Sequence, residues 1–293
     1  MKNFFQKSKR WLPGATISII LIAVIFNAVD IPKTIAALRD ANHSLLIIAA
    51  FLSASWLMVR GIVWRTLLQN RPSYRDTFIT LGEGYLMNNF LPFRLGELGR
   101  AFLLSEKTEL KFTKILPTII VERIFDLIIS AAIFITAVSF VAEAKGTEQS
   151  AYIIGGIVLL AIIILYFLAH NQEWALNFFT KITARIPKVQ ELGGGLLKSL
   201  LAGLSVFTDG ALFLRFIFWM LFNWSIAIIQ FTLVITAFFP QATVIWGMFG
   251  LGAAAFGGAI PSLPGAIGTL EAAIGGALNL LSNDMSTALA VAL

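Results

Sequence analysis

The sequence predicts an all-α polytopic membrane protein with about six to eight spanning helices and two interrupted, re-entrant helical segments. Only 13% of its 293 residues are charged and 58% are hydrophobic, whereas roughly 25% of the residues of a soluble protein are charged. The apolar residues form long runs, and two regions are broken by Pro and Gly beside charged residues. A soluble domain could not cover its surface with so few charges. We therefore expect a single transmembrane domain over residues 1–293.

Spanning helices are expected wherever an apolar run approaches the length of about 20 residues that crosses a bilayer. The runs cover 11–29, 44–68, 115–141, 151–169, 211–239 and, rich in Gly and Ala, 244–260. The first run follows several Lys and Arg residues, as a secretory signal would. No small-residue cleavage site comes after it, so we expect a retained anchor. The charge-balanced connection 30–42 is expected to be a loop.

The Lys and Arg residues of the connections indicate the orientation of the chain. The N-terminus carries four bases and no acid, and bases flank residues 76–104 on both sides, with Arg60 counted among those before it. The N-terminus and both flanks are therefore expected in the cytoplasm, with the protein in the cytoplasmic (inner) cell membrane. The connection 170–210 mixes aromatic and basic residues, which is typical of amphipathic helices at a membrane surface. A solvated linker around its Gly triplet is the alternative.

The first interruption is the stretch "NNFLPFRLGELGR" at 88–100. Pro92 cannot donate a helical hydrogen bond and ends the preceding helix, while Gly96 and Gly99 allow a tight turn and close packing. A segment that leaves and returns to the same side is either two short spans or a re-entrant pair of half-helices; we expect the re-entrant pair and place it at 76–104. Backbone broken at membrane depth survives only where protein or water satisfies it. The stretch should therefore line a cavity.

The second interruption, "IPSLPGAIGTLEAA" at 260–273, repeats the spacing of the first. In each, a Pro is followed after three residues by a Gly and after two more by another Gly. These residues, with one further Pro, are expected to be conformational: Pro92, Gly96, Gly99, Pro261, Pro264, Gly265 and Gly268. Two interrupted segments in corresponding halves are typical of transporters built from repeats. We place the second segment at 244–282, entering from the opposite side as an inverted repeat, with a chance match as the alternative.

Charged residues within these regions are the candidate functional residues, because ionisable groups at membrane depth are costly and tend to face a cavity and pair. The candidate substrate-binding residues are Asn89, Arg94, Glu97, Arg100, Glu122, Arg123, Asp126 and Glu271. The planar donors of Arg94 and Arg100 suit a phosphate. We expect Glu271 to pair with one of these two arginines. The alternative is that the charges form ion pairs tying the broken helices to the third span, with no ligand.

Other function classes find little support in the sequence. The chain has no cysteine and only two histidines, His43 and His170, far apart in the sequence, so we expect no metal site and no cofactor. No nucleotide-binding or hydrolase motif is found, and no catalytic residue is assigned. The net charge of +6 is explained by the positive-inside rule. We therefore expect no nucleic-acid partner.

The stretches "NNFLPFRLGELGRAFLL", "VERIFDLI" and "IPSLPGAIGTLEAA", in this order, resemble the flippase-like family named after the transmembrane region of lysylphosphatidylglycerol synthase. The resemblance covers essentially the whole chain and implies a multi-pass protein of a prokaryotic cytoplasmic membrane. In the best understood relatives it implies movement of an aminoacylated phospholipid between leaflets, and in others a link to polyprenyl-linked sugars. We expect only the lipid-moving activity of the membrane region here and no lipid synthesis, since no synthase domain follows. The family pattern falls on the same Asn, Arg, Glu, Asp, Pro and Gly positions named above, except Gly99.

The expected function is translocation of a lipid with a charged or phosphate-bearing headgroup through a polar intramembrane cavity. Expected partners are membrane lipids: an anionic or zwitterionic phospholipid, an aminoacyl-lipid or a polyprenyl-linked lipid. One alternative is a membrane enzyme for lipid-linked substrates that uses Glu122 and Asp126 as acid and base. Another is a non-catalytic scaffold for a partner lipid synthase. Assembly into a homo-oligomer is left open.

Overall fold

The computed structural model describes residues 12–91, 94–141, 147–184, 186–260 and 262–293, and within these ranges the chain is helical without a β-strand. The helices are α1 (Leu12–Ala28), α2 (Ile31–Asp40), α3 (His43–Leu67), α4 (Tyr74–Phe90), α5 (Gly96–Lys107), α6 (Phe112–Val141), α7 (Thr147–His170), α8 (Gln172–Thr183), α9 (Pro187–Leu204), α10 (Gly210–Phe238), α11 (Val244–Gly257), α12 (Thr269–Ser282) and α13 (Met285–Ala292). Short 3₁₀ turns at Ser205–Thr208 and Pro264–Ala266 precede α10 and α12. The expected all-α class is confirmed.

Three of the described helices, α3, α6 and α10, are long and apolar enough to cross a membrane, and α7 with α8 forms a further candidate bent by 100°. Shorter apolar helices lie in α1, α9 and α11. The chain is thus a multi-pass membrane protein, in loose agreement with six to eight spans. The expected sixth span ends early. With 14 residues, α11 is about 21 Å long, short of the roughly 30 Å of a bilayer core.

The centre of the fold is formed by α3 and α10, which pack along each other, and by α6. Phe125 on α6 contacts Phe207 and Phe216 edge-on, with ring centroids 5.7 Å and 4.8 Å apart. Val63 on α3 and Met220 on α10 are fully buried in the same cluster. Helices in a bilayer gain little from the hydrophobic effect, so their association depends on close packing and polar contacts. This cluster supplies the packing beside the polar site.

The first hairpin consists of α4 and α5, which pack against each other across the first interruption. Gly96 begins α5, and its N–H donates to Asn88 Oδ1 at 2.8 Å. A Cβ on Gly96 would collide with the carbonyl oxygen of Gly84 on α4. The two helices therefore approach closely only because both positions are glycine. Pro92, expected to end α4, lies outside the described residues, and α4 ends at Phe90.

The second hairpin consists of α11 and α12, joined through a turn in which Gly265 and Gly268 have φ angles of 76° and 88°. Such values favour glycine because it lacks a Cβ. Gly268 also lies against Ser18 of α1, where a Cβ would be 2.9 Å from the carbonyl oxygen. Pro264 starts the 3₁₀ turn, while Pro261 lies outside the described residues.

The repeated spacing marks both hairpins, but the matched glycines occupy different places. Gly96 begins α5, and Gly99 lies within that helix. In the second hairpin the positive-φ turn continues to Gly268, and α12 begins after it. The second turn is longer, so the glycine at the start of the return helix is the second of its pair rather than the first.

The connection 30–42, expected to be a loop, contains the helix α2. Asp30 caps it by accepting a hydrogen bond from Lys33 N at 3.1 Å, with a Pro in the first turn. Both features favour a helix start. The prediction of a loop considered only the balanced charge of this connection and so missed them. The helix packs on α13, where Thr34 Oγ1 donates to the Ser286 carbonyl at 3.2 Å.

Replacing Asp284 with alanine is expected to weaken this contact by about 1 kcal/mol, the usual scale of a lost helix cap. Asp284 caps α13 through Thr287 N at 3.2 Å and pairs with Lys33 at 3.1 Å. Burial favours a higher pKa for Asp284, but the hydrogen bonds from Thr287 and Lys33 outweigh it and lower the pKa. The contribution should therefore persist above the ordinary aspartate pKa and be lost as pH falls through the lowered one. Thermal unfolding of wild type and variant against pH measures this, and parallel curves in acid would contradict it.

Candidate functional site

The two interruptions lie against each other. Arg94, in the first interruption, donates from Nη2 to the Gly258 carbonyl at the end of α11, at 2.9 Å. The turn Pro264–Ala266 packs on α4, and a Cβ on Gly265 would be 4.0 Å from the carbonyl oxygen of Asn89. Arg94 itself has a φ of 54°, a conformation uncommon outside glycine. The tips of the two hairpins therefore meet at Arg94.

A buried ionic network lies beside the first hairpin, and its centre is Arg60 on α3. Arg60 Nη2 lies 2.5 Å from Glu122 Oε1, and Nη1 donates to Asp126 Oδ1 at 2.8 Å. Nη2 also contacts the second oxygen of Asp126. Only 2% of the Arg60 side chain is exposed. Counting Arg60 among the basic residues of a membrane end was therefore wrong. The sequence signal that could have identified Arg60 was its position about two turns before the end of α3, directly after a long uncharged stretch.

The first hairpin joins this network through two residues of α5. Arg100 Nη2 binds Glu122 Oε2 at 3.2 Å, and its guanidinium lies 4.6 Å from the ring centroid of Trp64. Glu97 Oε1 lies 2.9 Å from Arg123 Nε, close enough for an ion pair although the N–H does not point at the oxygen. Arg123 in turn contacts Glu122 and Asp126 at 3.2 Å and 3.1 Å. The ion pairs expected under the alternative are therefore present between the first interrupted segment and the third span.

Two residues of α10 complete the surroundings, and both were missed in the sequence. Asn223 Oδ1 lies 3.5 Å from Arg60 Nη1, and its amide donates to the Trp56 carbonyl at 2.9 Å. Trp224 Nε1 donates to Asp126 at 3.3 Å. The only signal for Asn223 was an amide side chain within a long apolar run, which also contains Gln230. The network thus connects α3, α5, α6 and α10.

The network is electrically neutral and has a closed and an open side. Three arginines and three carboxylates balance each other: Arg60, Arg100, Arg123, Glu97, Glu122 and Asp126. Glu122 is fully buried, while 15% of Asp126, 16% of Glu97 and 26% of Arg123 are exposed. Glu122 and Asp126 lie about 15 Å and 21 Å along α6 from its start, well inside a helix that can cross a membrane. Ionisable side chains within such a helix tend to face a cavity and to pair with one another rather than contact lipid tails.

The buried side of the network keeps unused donors. Nε and Nη1 of Arg100 are buried and have no hydrogen-bond partner among the described residues. Buried polar groups left unpaired cost free energy. A ligand oxygen or an ordered water would satisfy them. Arg100 therefore has the capacity to bind one more acceptor.

The expected pairing of Glu271 with Arg94 or Arg100 is wrong. Glu271 Oε2 instead accepts from Gly268 N at 2.6 Å, because it stands three residues inside α12 and caps that helix. Arg100 pairs with Glu122 instead, through Nη2. Asn89 is exposed at the hairpin tip. The candidate residues thus form two groups, one at the hairpin tips and one in the network.

Among the described residues, no group of three or more His, Asp or Glu side chains could hold a metal ion. The carboxylates of the network are already bound by arginines. The arrangement offers cations and paired carboxylates as ligand-binding groups.

Comparison with known proteins agrees with this architecture. Over 276 residues the chain is 24% identical to a UPF0104 membrane protein of Methanothermobacter thermautotrophicus, covering 89% of this chain and 80% of that relative. It is 26% identical over 183 residues to a UPF0104 membrane protein of Methanocaldococcus jannaschii, covering 59% and 53% of the two chains. No solved structure matches it significantly. The sequence model of the lysylphosphatidylglycerol synthase TM region matches residues 11–293. The chain therefore belongs to the lysylphosphatidylglycerol synthase TM region family.

Proposed function

We propose that this protein translocates a lipid with a charged or phosphate-bearing headgroup between the leaflets of the cytoplasmic membrane. The headgroup would pass along the meeting hairpin tips and the open side of the ionic network, while the acyl chains stay in the bilayer. The observation that carries the proposal is the contact of the two tips at Arg94, beside the half-exposed network. Membership of a lipid-related membrane family supports it.

The residues at the start of α5 form a polar path from the hairpin tip to the ionic network. Arg94 precedes α5, Glu97 lies in its first turn and Arg100 one turn further. The three residues are spaced by three, so in the helix Glu97 and Arg100 share a face. That face meets Arg123 and Glu122 on α6. A headgroup that leaves Arg94 would thus encounter Glu97 and Arg123 next.

Arg94 is the residue best suited to hold the phosphate. The network is neutral, so its cations are already compensated, whereas Arg94 has a backbone carbonyl as its partner and is exposed. No ion pair among the described residues includes it. A guanidinium of this kind can bind a phosphate through two parallel hydrogen bonds.

We further propose that the hairpins enter the membrane from opposite sides. With the N-terminus in the cytoplasm, the first hairpin starts on the cytoplasmic side, and the crossings by α6, α7 and α10 bring the second hairpin to the outer side. Contacts support this assignment: α2, α13 and the end of α10 meet, with Asn42 N bonded to the Ala237 carbonyl at 2.9 Å. These elements would all lie on the outer side. Tips that meet between the two sides form the midplane site of an inverted repeat.

The enzyme alternative gains no support from the site. Glu122 is fully buried and contacts Arg60, Arg100 and Arg123, so it is not free to exchange a proton with a substrate. The scaffold alternative predicts that Arg94 can be replaced without effect on lipid movement. It is therefore distinguished by the experiment that follows.

Replacing Arg94 with alanine is expected to slow lipid translocation roughly ten- to hundredfold, because a hydrogen bond to a charged group contributes about 1.5–3 kcal/mol. The measurement uses purified protein in vesicles with acyl-labelled fluorescent phosphatidylglycerol and quenching by external dithionite. Arg39→Ala, an exposed arginine on α2, is the matched control and should keep the wild-type rate.

Equal rates for Arg94→Ala, Arg39→Ala and wild type would overturn the assignment of Arg94. Wild-type rates equal to those of empty vesicles would count against translocation of this phospholipid. A parallel set with labelled phosphatidylethanolamine tests whether a zwitterionic headgroup is moved instead. A changed product mass in the lipid extract would favour the enzyme.

A further inference from the structure

The helix α8 has three distinct sides, and one of them is apolar yet exposed. Trp174, Phe178 and Ile182 recur every four residues and are 51%, 52% and 65% exposed. Ala175 and Thr183 are buried on a second side, which packs on the protein core. With about 100° per residue, the three apolar residues cover about 80° of the helix surface.

The third side of α8 is polar. Glu173, Asn177 and Thr180 are exposed and lie about 60° to 120° from Trp174, away from Phe178 and Ile182. A helix with one side on protein, one apolar and one polar fits the boundary between a membrane and water. We call the apolar side, formed by Trp174, Phe178 and Ile182, the α8 stripe.

The direction of the stripe follows from its contact with α7. The chain bends by 100° between α7 and α8, so α8 runs nearly perpendicular to α7. Trp174 stacks on Phe178 at 5.1 Å and meets Phe167 of α7 edge-on at 5.4 Å. Phe167 and Leu160 belong to the exposed apolar surface of α7. The stripe therefore continues that surface around the bend.

We propose that the α8 stripe binds the cytoplasmic leaflet, with its three side chains inserted at the boundary between headgroups and acyl chains. Lys181 is exposed and lies about 20° from Trp174 on the helix surface, at the edge of the stripe. An ammonium group there favours anionic headgroups. Trp is well suited to this depth because its ring is apolar and its N–H polar. The proposal depends on membrane embedding and on the orientation proposed above, and not on lipid translocation.

Site-directed spin labelling tests the proposal directly, because the chain has no cysteine of its own. Phe178→Cys and Asn177→Cys are each labelled with a nitroxide in the full-length protein, in vesicles of phosphatidylcholine and phosphatidylglycerol. Collisions with lipid-soluble oxygen and a water-soluble nickel chelate are then compared. The label at 178 should collide mainly with oxygen and the label at 177 mainly with the chelate. Ile182→Cys and Thr180→Cys repeat the comparison one turn further.

Three outcomes would overturn the proposal. Equal chelate access at 177 and 178 would mean that the stripe faces water. Oxygen access at both positions would mean that α8 continues through the bilayer as part of a bent span. Exclusion of both reagents at 178 would mean that another protein or a second copy covers the stripe.

Discussion

Replacing Arg60 with alanine is expected to lower the free energy of unfolding by about 3–5 kcal/mol, because removing one partner of a buried ion pair leaves the other uncompensated. Arg60 contacts both Glu122 and Asp126, and Glu122 is fully buried. Without Arg60, three carboxylates would face two arginines. The measurement is denaturant unfolding in detergent micelles, together with the amount of folded protein in the membrane.

Two further variants separate charge imbalance from lost packing. Arg75→Ala removes an exposed arginine at the start of α4 and should change stability by less than about 1 kcal/mol. Arg60→Met with Asp126→Asn keeps two arginines and two carboxylates, and should recover part of the loss. A stable Arg60→Ala protein would show that the network is not needed for folding. A double variant no better than Arg60→Ala would mean that the loss comes from packing or hydrogen bonding rather than from charge.

Replacing Gly96 with alanine is expected to disrupt the first hairpin, at a cost at or above the 1–3 kcal/mol that is usual for overpacking. The added Cβ would collide with the Gly84 carbonyl oxygen and lie 2.6 Å from Asn88 Oδ1. Neither can move freely, because the first is backbone and the second accepts the Gly96 N–H. The helices would have to separate, which would also shift Glu97 and Arg100 away from α6.

Gly82→Ala is the matched control for this prediction. Gly82 lies in α4 of the same hairpin, and a Cβ there meets nothing within 4 Å. The substitution should be neutral or stabilise the helix by up to about 1 kcal/mol. Thermal unfolding of both variants gives the comparison, and protease sensitivity of the hairpin reports its opening. Equal midpoints for Gly96→Ala and Gly82→Ala would contradict the close approach of α4 and α5.

The substitutions Arg60→Ala and Gly96→Ala both disturb the packing of the first hairpin, one through its ionic contacts with α6 and the other through the contact between α4 and α5. The ionic network holds the first hairpin against α6 through Glu97 and Arg100, and the glycine contact holds α4 and α5 together. Charges within a bilayer are costly unless they are paired. Glu122 is buried between Arg60 and Arg100, so the partly exposed charges that a headgroup could reach are those of Arg123, Glu97 and Asp126.

Much of the helical framework was predictable from the sequence. The long apolar runs correspond to α3, α6, α7 and α10 within a few residues, because run length is set by the thickness of the bilayer. The helix α2 was missed because it is short and its signals lie in a cap and a first-turn Pro. The run 244–260 corresponds to α11 within three residues, but it was interpreted as a span because an apolar composition does not distinguish a half-helix from a span.

The candidate site was only partly predictable. The sequence marked Glu97, Arg100, Glu122, Arg123 and Asp126 through the rarity of charge in apolar segments, and the structure brings these five together. It did not indicate Arg60, since proximity to a basic loop suggested a different role. Glu271 was assigned an arginine partner, but a carboxylate three residues into a helix is equally placed to cap it.

The sequence by itself determined that the protein is an all-helical membrane protein, with two interruptions and a set of charges inside apolar segments. These properties depend on amino-acid composition and on the order of residues within short stretches, both of which can be read directly from the sequence. Only the tertiary structure decided which charges meet, that Arg60 stands at their centre and that the two hairpin tips touch at Arg94. Such contacts join residues up to 164 positions apart, and their distances depend on how the helices pack, a property that no local stretch of sequence contains.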